Sequence, residues 1–297
     1  MTGPSPVATV VAALALALAL ALSGCTDGGG DASPGVPASS ATGSPTAGSE
    51  PAPPPEPERL RPPPAPPSGA CYRIGVTQAT RPTNRSPRVP CRGPHTAQTI
   101  SVGRLDLTPN GRRLGVDSAA VQRQPARSCP VRLRRYVGGT TDVRRRSRFE
   151  VIWFTPTLAQ AARGARWFRC DAVAVANDQR LLRLPLGPGL RGLLDRPGAP
   201  AEYGLCGTAR PGTRGFERVA CFLPHRWKAI STINLAGGDR YPGTARVRAA
   251  GDATCADRVG ERSGLVLEFS YGWEWPTREQ WAAGQRYGYC WAPSRPR

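Results

Sequence analysis

His95 and His225 are the only histidines in the 297-residue chain, and each closes the same local pattern. Arg88-Val89-Pro90-Cys91-Arg92-Gly93-Pro94-His95 leads to Ile100-Ser101. Arg218-Val219-Ala220-Cys221-Phe222-Leu223-Pro224-His225 leads to Ile230-Ser231 at the same spacing. A histidine at such a turn could serve as acid, base, ligand or pH sensor. Catalysis would need a nucleophile or carboxylate held beside the ring, and no Ser, Asp or Glu is recognisable as the partner of both rings. Pro94, His95, Pro224 and His225 are therefore read as turn residues whose rings satisfy backbone groups, or as ligand contacts. No catalytic residue is assigned, and the chain is read as not an enzyme. The competing expectation is an envelope enzyme with an unrecognised site around the Pro-His turns.

The elements that must hold these turns also recur. Trp153-Phe154-Thr155-Pro156-Thr157, with Gln160, Gly164, Arg166, Trp167 and Cys170, matches Trp273-Glu274-Trp275-Pro276-Thr277, with Gln280, Gly284, Arg286, Tyr287 and Cys290. Two separated blocks with constant spacing point to a duplicated unit. Cys71, Cys91, Cys129 and Cys170 fall in the first half and Cys206, Cys221, Cys255 and Cys290 in the second, with Cys25 the ninth. Four cysteines per half, without a Cys-x-x-Cys pair, argue for disulfides over zinc or thiol-redox chemistry, so neither a metal nor a cofactor is expected. Three pairings per half stay open from spacing alone. The expected set is Cys71 with Cys91, Cys129 with Cys170, Cys206 with Cys221 and Cys255 with Cys290.

Each half reads as one α+β unit, a short and mostly antiparallel sheet with one or two helices. Residues 89–102 and 219–233 carry strand patterns around the Pro-His turn. Residues 118–136 read as a helix interrupted near Pro125 and Pro130, with 245–259 as its weaker counterpart. Residues 150–153 and 265–269 read as inner strands. Thr157 with Gln160, and Thr277 with Gln280, form capping boxes, and Gly164 and Gly284 end those short helices. Trp153, Trp167, Trp273 and Tyr287 are read as core or sheet-covering aromatics. Arg166 and Arg286 are read as partners of a buried carboxylate or carbonyl.

Residues 10–22 form an apolar run too short to span a bilayer, ending in Leu22-Ser23-Gly24-Cys25. That ending is similar to the lipobox of bacterial lipoproteins and implies lipidation of Cys25. The expected organisation is a signal peptide over 1–24, a disordered tether rich in Pro, Ser and Ala over 25–69, repeat 1 over 70–178, a connector over 179–202 and repeat 2 over 203–293. A diacylated cysteine anchors firmly, because each buried methylene contributes about 0.8 kcal/mol. The expected location is the extracytoplasmic face of the cell membrane.

Formal net charge is +19, and the tether is acidic, so the basicity belongs to the region that folds. Outside the cytoplasm its partners would be anionic envelope polymers or an envelope protein, with no nucleic acid. Lys228 is the only lysine. That arginine bias also follows from a GC-rich genome.

Cys-x-x-Pro-His, a helix-borne third cysteine, and Pro-Thr-x-x-Gln ending in Gly-x-Arg-aromatic-x-x-Cys together resemble the septum formation domain of actinobacterial envelope proteins. The resemblance covers about 200 residues and is read as two copies. It implies an extracytoplasmic module connected to division-septum formation. Gln98 and Lys228 stand where that family often carries an acid. The expectation for function is a noncatalytic, surface-anchored envelope lipoprotein with two binding modules, linked to cell division or envelope assembly.

Overall fold

The computed structural model describes residues 62–199, 201–263 and 269–294. Cys25, the expected signal peptide, tether residues 25–61, and residues 265–268 of the second expected inner strand lie outside these.

In the first half the chain forms β1 (Cys71–Tyr72), α1 (Val76–Ala79), β2 (Arg88–Val89), β3 (Ala97–Arg104), α2 (Ala119–Val137), α3 (Thr141–Arg145), β4 (Phe149–Phe154), α4 (Leu158–Ala162), β5 (Trp167–Asn177) and β6 (Arg180–Leu181). The second half forms β7 (Leu205–Gly207), β8 (Arg218–Ala220), β9 (Trp227–Asn234), α5 (Thr244–Ser263), β10 (Gly272–Glu274), α6 (Arg278–Ala282) and β11 (Tyr287–Pro293). The first sheet has the order β2-β1-β3-β5-β4, with β6 on β5, and the second has β8-β7-β9-β11-β10. Strand for strand the orders are the same, and every pairing is antiparallel. This is a mixed fold with antiparallel sheets, in keeping with the α+β reading. The stretch read as one strand over 89–102 divides into β2 and β3, because the Pro-His turn between them reverses the chain.

Each sheet packs one long helix through a stripe at four-residue spacing, the period that keeps side chains on one helix face. On α2 the stripe is Val121, Pro125, Cys129, Leu133 and Val137; on α5 it is Val247, Gly251, Cys255 and Val259. Disulfides Cys129–Cys170 and Cys255–Cys290 bolt the stripes to β5 and β11. Cys71–Cys91 and Cys206–Cys221 close the edge of each sheet.

The expected interruption of α2 does not occur: the helix is continuous through Pro125 and Pro130. Each interior proline removes one backbone hydrogen bond and costs about 3 kcal/mol. Burial of five stripe residues and the covalent link at Cys129, between the two prolines, outweigh that cost. In the second half Gly251 takes the place of Pro125, and the reason is contact: a Cβ there would lie 2.2 Å from the Trp273 ring.

Capping boxes form at both expected places, with Gln160 and Gln280 amides donating to the Thr157 and Thr277 hydroxyls. Gly164 and Gly284 follow with φ of 89° and 93°, a region that favours glycine. The chain then enters the last strand by a shared device, Leu105 N donating to Arg166 O and Leu235 N to Arg286 O.

Residues 179–202, expected as a connector, contribute Leu182, Leu184, Leu190, Leu193 and Leu194 to the first core. Tyr203 and Ala220 join the same core, with Leu223 packed against it. The first core is thus completed by residues that follow the first repeat in sequence.

Candidate functional site

The two Pro-His turns sit beside their sheet-edge disulfides. His95 is fully buried; its Nδ1 lies 2.9 Å from Gly93 O, while Nε2 has no hydrogen-bond partner. Its backbone carbonyl accepts from Leu184, and Cys91 O accepts from Gly187, so residues 184–187 cover the turn. Arg73 donates to Pro94 O. His225 is half-buried, with Nδ1 2.8 Å from Leu223 O. In both rings Nδ1 carries the proton and ties down a carbonyl two residues earlier. Each ring thus contacts a backbone carbonyl of its own turn. Cys206, Cys221 and His225 bring ligand-type atoms within 4.8 Å of one another, but both sulfurs are held in a disulfide and offer no thiolate.

Charged groups that the sequence reading did not single out lie on either side of Cys170. Arg169 and Asp171 point away from α2 and are both buried, with Arg169 Nη2 3.1 Å from Asp171 Oδ2. Thr99 donates to Asp171 Oδ1 at 2.7 Å, and the Arg169 guanidinium lies 3.8 Å from the Tyr72 ring centroid. Burial pushes the Asp171 carboxyl up to about 6, against the opposing pull of Arg169 and Thr99. The corresponding positions in β11 are Tyr289 and Trp291. The second half keeps a carboxylate nearby by another route: Arg218 donates to Glu274 Oε1 at 2.8 and 3.0 Å, and Trp291 Nε1 donates to Glu274 Oε2 at 3.0 Å.

Arg286 donates to the carbonyls of exposed Gly238 and buried Trp281 and reaches the exposed Asp239. Trp273 is a core aromatic, whereas Trp153, Trp167 and Tyr287 are half-buried.

The two halves meet along a polar seam built by α3, an element with no counterpart among the described residues of the second half. Thr140 caps this helix by accepting from Val143 N. Asp142, in its first turn, accepts from Thr232 N at 2.6 Å and Thr232 Oγ1 at 2.9 Å, and pairs with Arg146 at 2.7 Å. Burial alone would raise the Asp142 carboxyl, but Arg146 and Thr232 outweigh it and hold it below the ordinary range. Arg145 donates to Asn234 Oδ1 at 2.7 Å, with its guanidinium 3.7 Å from the Tyr287 ring centroid. Arg148 N donates to Tyr203 O and Leu205 N to Arg146 O, with Phe149 stacked on Tyr203 at 4.8 Å.

Beside this seam opens a cleft of about 660 Å³, within the size range of small-ligand sites. Five arginines line it from four places: Arg134 on α2, Arg144 and Arg145 on α3, Arg148 before β4, and Arg218 on β8. Glu150 is the carboxylate of the lining. Trp153, Tyr287 and Tyr289 form part of the wall, the two phenol oxygens 3.5 Å apart. Burial, reinforced by Tyr287, keeps the Tyr289 phenol protonated far above physiological pH, so its hydroxyl remains a donor. Neither histidine lines this cleft.

Residues 68–290 match the family described as Septum formation. The chain belongs to that family. The match is one span through both halves, where the sequence reading placed two copies of the family domain. The septum formation unit therefore includes the seam and the cleft between the halves. Neither curated proteins nor solved structures give a match to the chain. Among the described residues, no helix is long and apolar enough to cross a membrane.

The cleft left one trace in the sequence, the run Val143-Arg144-Arg145-Arg146-Ser147-Arg148 preceded by Thr140 and Asp142. It interrupts the repeat, and general arginine richness masked it.

Proposed function

We propose that this septum formation protein is a noncatalytic, surface-anchored envelope lipoprotein linked to cell division or envelope assembly. Its two like halves, descended from a duplication, act as one binding body. The observation that carries the reading is the junction cleft: its guanidinium and phenol groups are donors suited to holding a ligand, and they come from both halves. Cys25 within Leu22-Ser23-Gly24-Cys25 supplies the lipid anchor at the extracytoplasmic face of the cell membrane, and residues 25–69 act as the tether. The family's description connects the module to the septum.

Two readouts on one strain set test this. The full chain carrying a fluorescent tag at its C-terminus is expected in the membrane fraction, enriched at division sites. Cys25→Ala is expected to lose the acyl mass in intact-protein spectrometry and to leave that fraction. Unchanged acylation in Cys25→Ala would refute the anchor, and an even distribution in dividing cells would refute the connection to division.

A further inference from the structure

We infer that the junction cleft is a binding site for a flexible polyanion, an envelope polymer bearing repeated phosphate or carboxylate groups. This rests on the reading of the cleft as the binding site and names the class of ligand it takes.

Five guanidiniums line a cavity of about 660 Å³ together with one carboxylate, Glu150. Only Arg218 among them has a full counter-charge in hydrogen-bond contact, from Glu274. Arg148 Nε rests on Val175 O, Arg145 on Asn234 and the Tyr287 ring, and Arg144 on the carbonyls of Gly138 and Gly139. Those neutral partners fix the direction of these three guanidiniums, and the single carboxylate Glu150, beside Arg148 and Arg218, offsets only part of the positive charge of the lining. Holding like charges together opposes folding, and an anionic ligand relieves that repulsion.

Donor chemistry narrows the class. Arginine presents a planar fork matched to the two oxygens of a phosphate or carboxylate, a geometry that a lysine ammonium lacks. Arg144 Nε is buried at the cleft without a hydrogen-bond partner, so a donor is already desolvated there. The paired hydroxyls of Tyr287 and Tyr289 stand on the same wall, and the buried Tyr289 cannot ionise and repel an anion. Charges arriving from four places around a concave space suit a chain with several anionic groups. A flat bilayer surface could not reach them all.

The full-length protein in detergent is titrated calorimetrically with a poly(glycerol phosphate) oligomer and with an oligogalacturonate, which distinguish phosphate from carboxylate as the source of charge. Neutral dextran oligomer and phosphatidylglycerol vesicles complete the set. Wild type is expected to bind at least one of the two polyanions saturably, with affinity falling as salt rises. Arg134→Gln and Arg148→Gln should each weaken that binding about tenfold or more, the scale of a lost charge-assisted hydrogen bond. Arg180→Gln, at the exposed first position of β6, should leave it unchanged; melting curves confirm that the variants are folded. Absence of saturable binding to both polyanions, equal binding of dextran, binding of vesicles alone, or unchanged affinity in Arg134→Gln and Arg148→Gln would each overturn the inference. A folded Arg148→Gln chain that fails in cells, from a protein that binds neither polyanion, would show the ligand class to be wrong while the cleft remains the site.

Discussion

Asp171 is the residue where burial and charge act most directly against each other. Its carboxyl is pushed up to about 6 in the folded chain, whereas an exposed aspartate titrates near 4. The folded state therefore holds this proton more tightly than the unfolded state. By linkage, the contribution of Asp171 to stability is greatest below about pH 4, declines as pH rises to about 6, and is flat above. Above pH 6 the ionised carboxylate balances Arg169. Asp171→Asn should abolish that decline and, at pH 7, lower stability by about 3–5 kcal/mol, because Arg169 stays buried without a counter-charge. Urea midpoints of both proteins from pH 4 to 8 check this, and a decline that persists in Asp171→Asn would assign it to another group. This pair was not legible in the sequence, although it flanks Cys170. The repeat aligns Arg169 with Tyr289 and Asp171 with Trp291, so attention to shared positions passes over the place where the halves diverge. The histidines and the capping threonines and glutamines were legible for the opposite reason, since each performs the same local task twice.

Among the elements, what the sequence shows well are short-range devices: two Thr-x-x-Gln caps, the glycines that follow them, and strands bracketed by paired cysteines. What it shows poorly depends on contact at a distance. Pro125 and Pro130 argue locally for a broken helix, yet α2 stays whole because its stripe and Cys129 are held against the sheet. Gly251 in α5 is the converse. Glycine in a helix interior costs about 1 kcal/mol relative to alanine, so Gly251→Ala would be expected from helix propensity to stabilise. The Trp273 ring lies against that site, and an added methyl would overlap its backbone-anchored bicyclic ring. Gly251→Ala should therefore lower stability by about 1–3 kcal/mol, the usual range for overpacking. Thermal melting of the single variant reads the sign, and a raised melting temperature would show that Trp273 moves aside freely. Helix α3 was not legible as an element because it is five residues long and no matching stretch in the second half revealed it. Its role rests on Asp142 meeting Thr232, residues 90 positions apart.

For the whole molecule, one pattern of residues recurs in the two halves of the sequence, and the order of the strands recurs with it. Tyr203 and Ala220 in the first core, the pairing of 146–148 with 203–205, and the Asp142–Thr232 contact join the halves, and one family span covers them both. A cleft made at their junction belongs to neither repeat, which is why a search for residues shared by both leads to the Pro-His turns and away from the arginines. The measurement that tests this most directly is complementation of a deletion strain, scored by septum placement, with full-length chains carrying Arg148→Gln, His95→Ala or His225→Ala at equal membrane abundance. The account expects Arg148→Gln to remain folded and fail to restore septum placement, while the histidine variants, once their abundance is matched, restore it. Normal septa with Arg148→Gln, together with failure of stably folded His95→Ala and His225→Ala, would contradict it and return the site to the Pro-His turns.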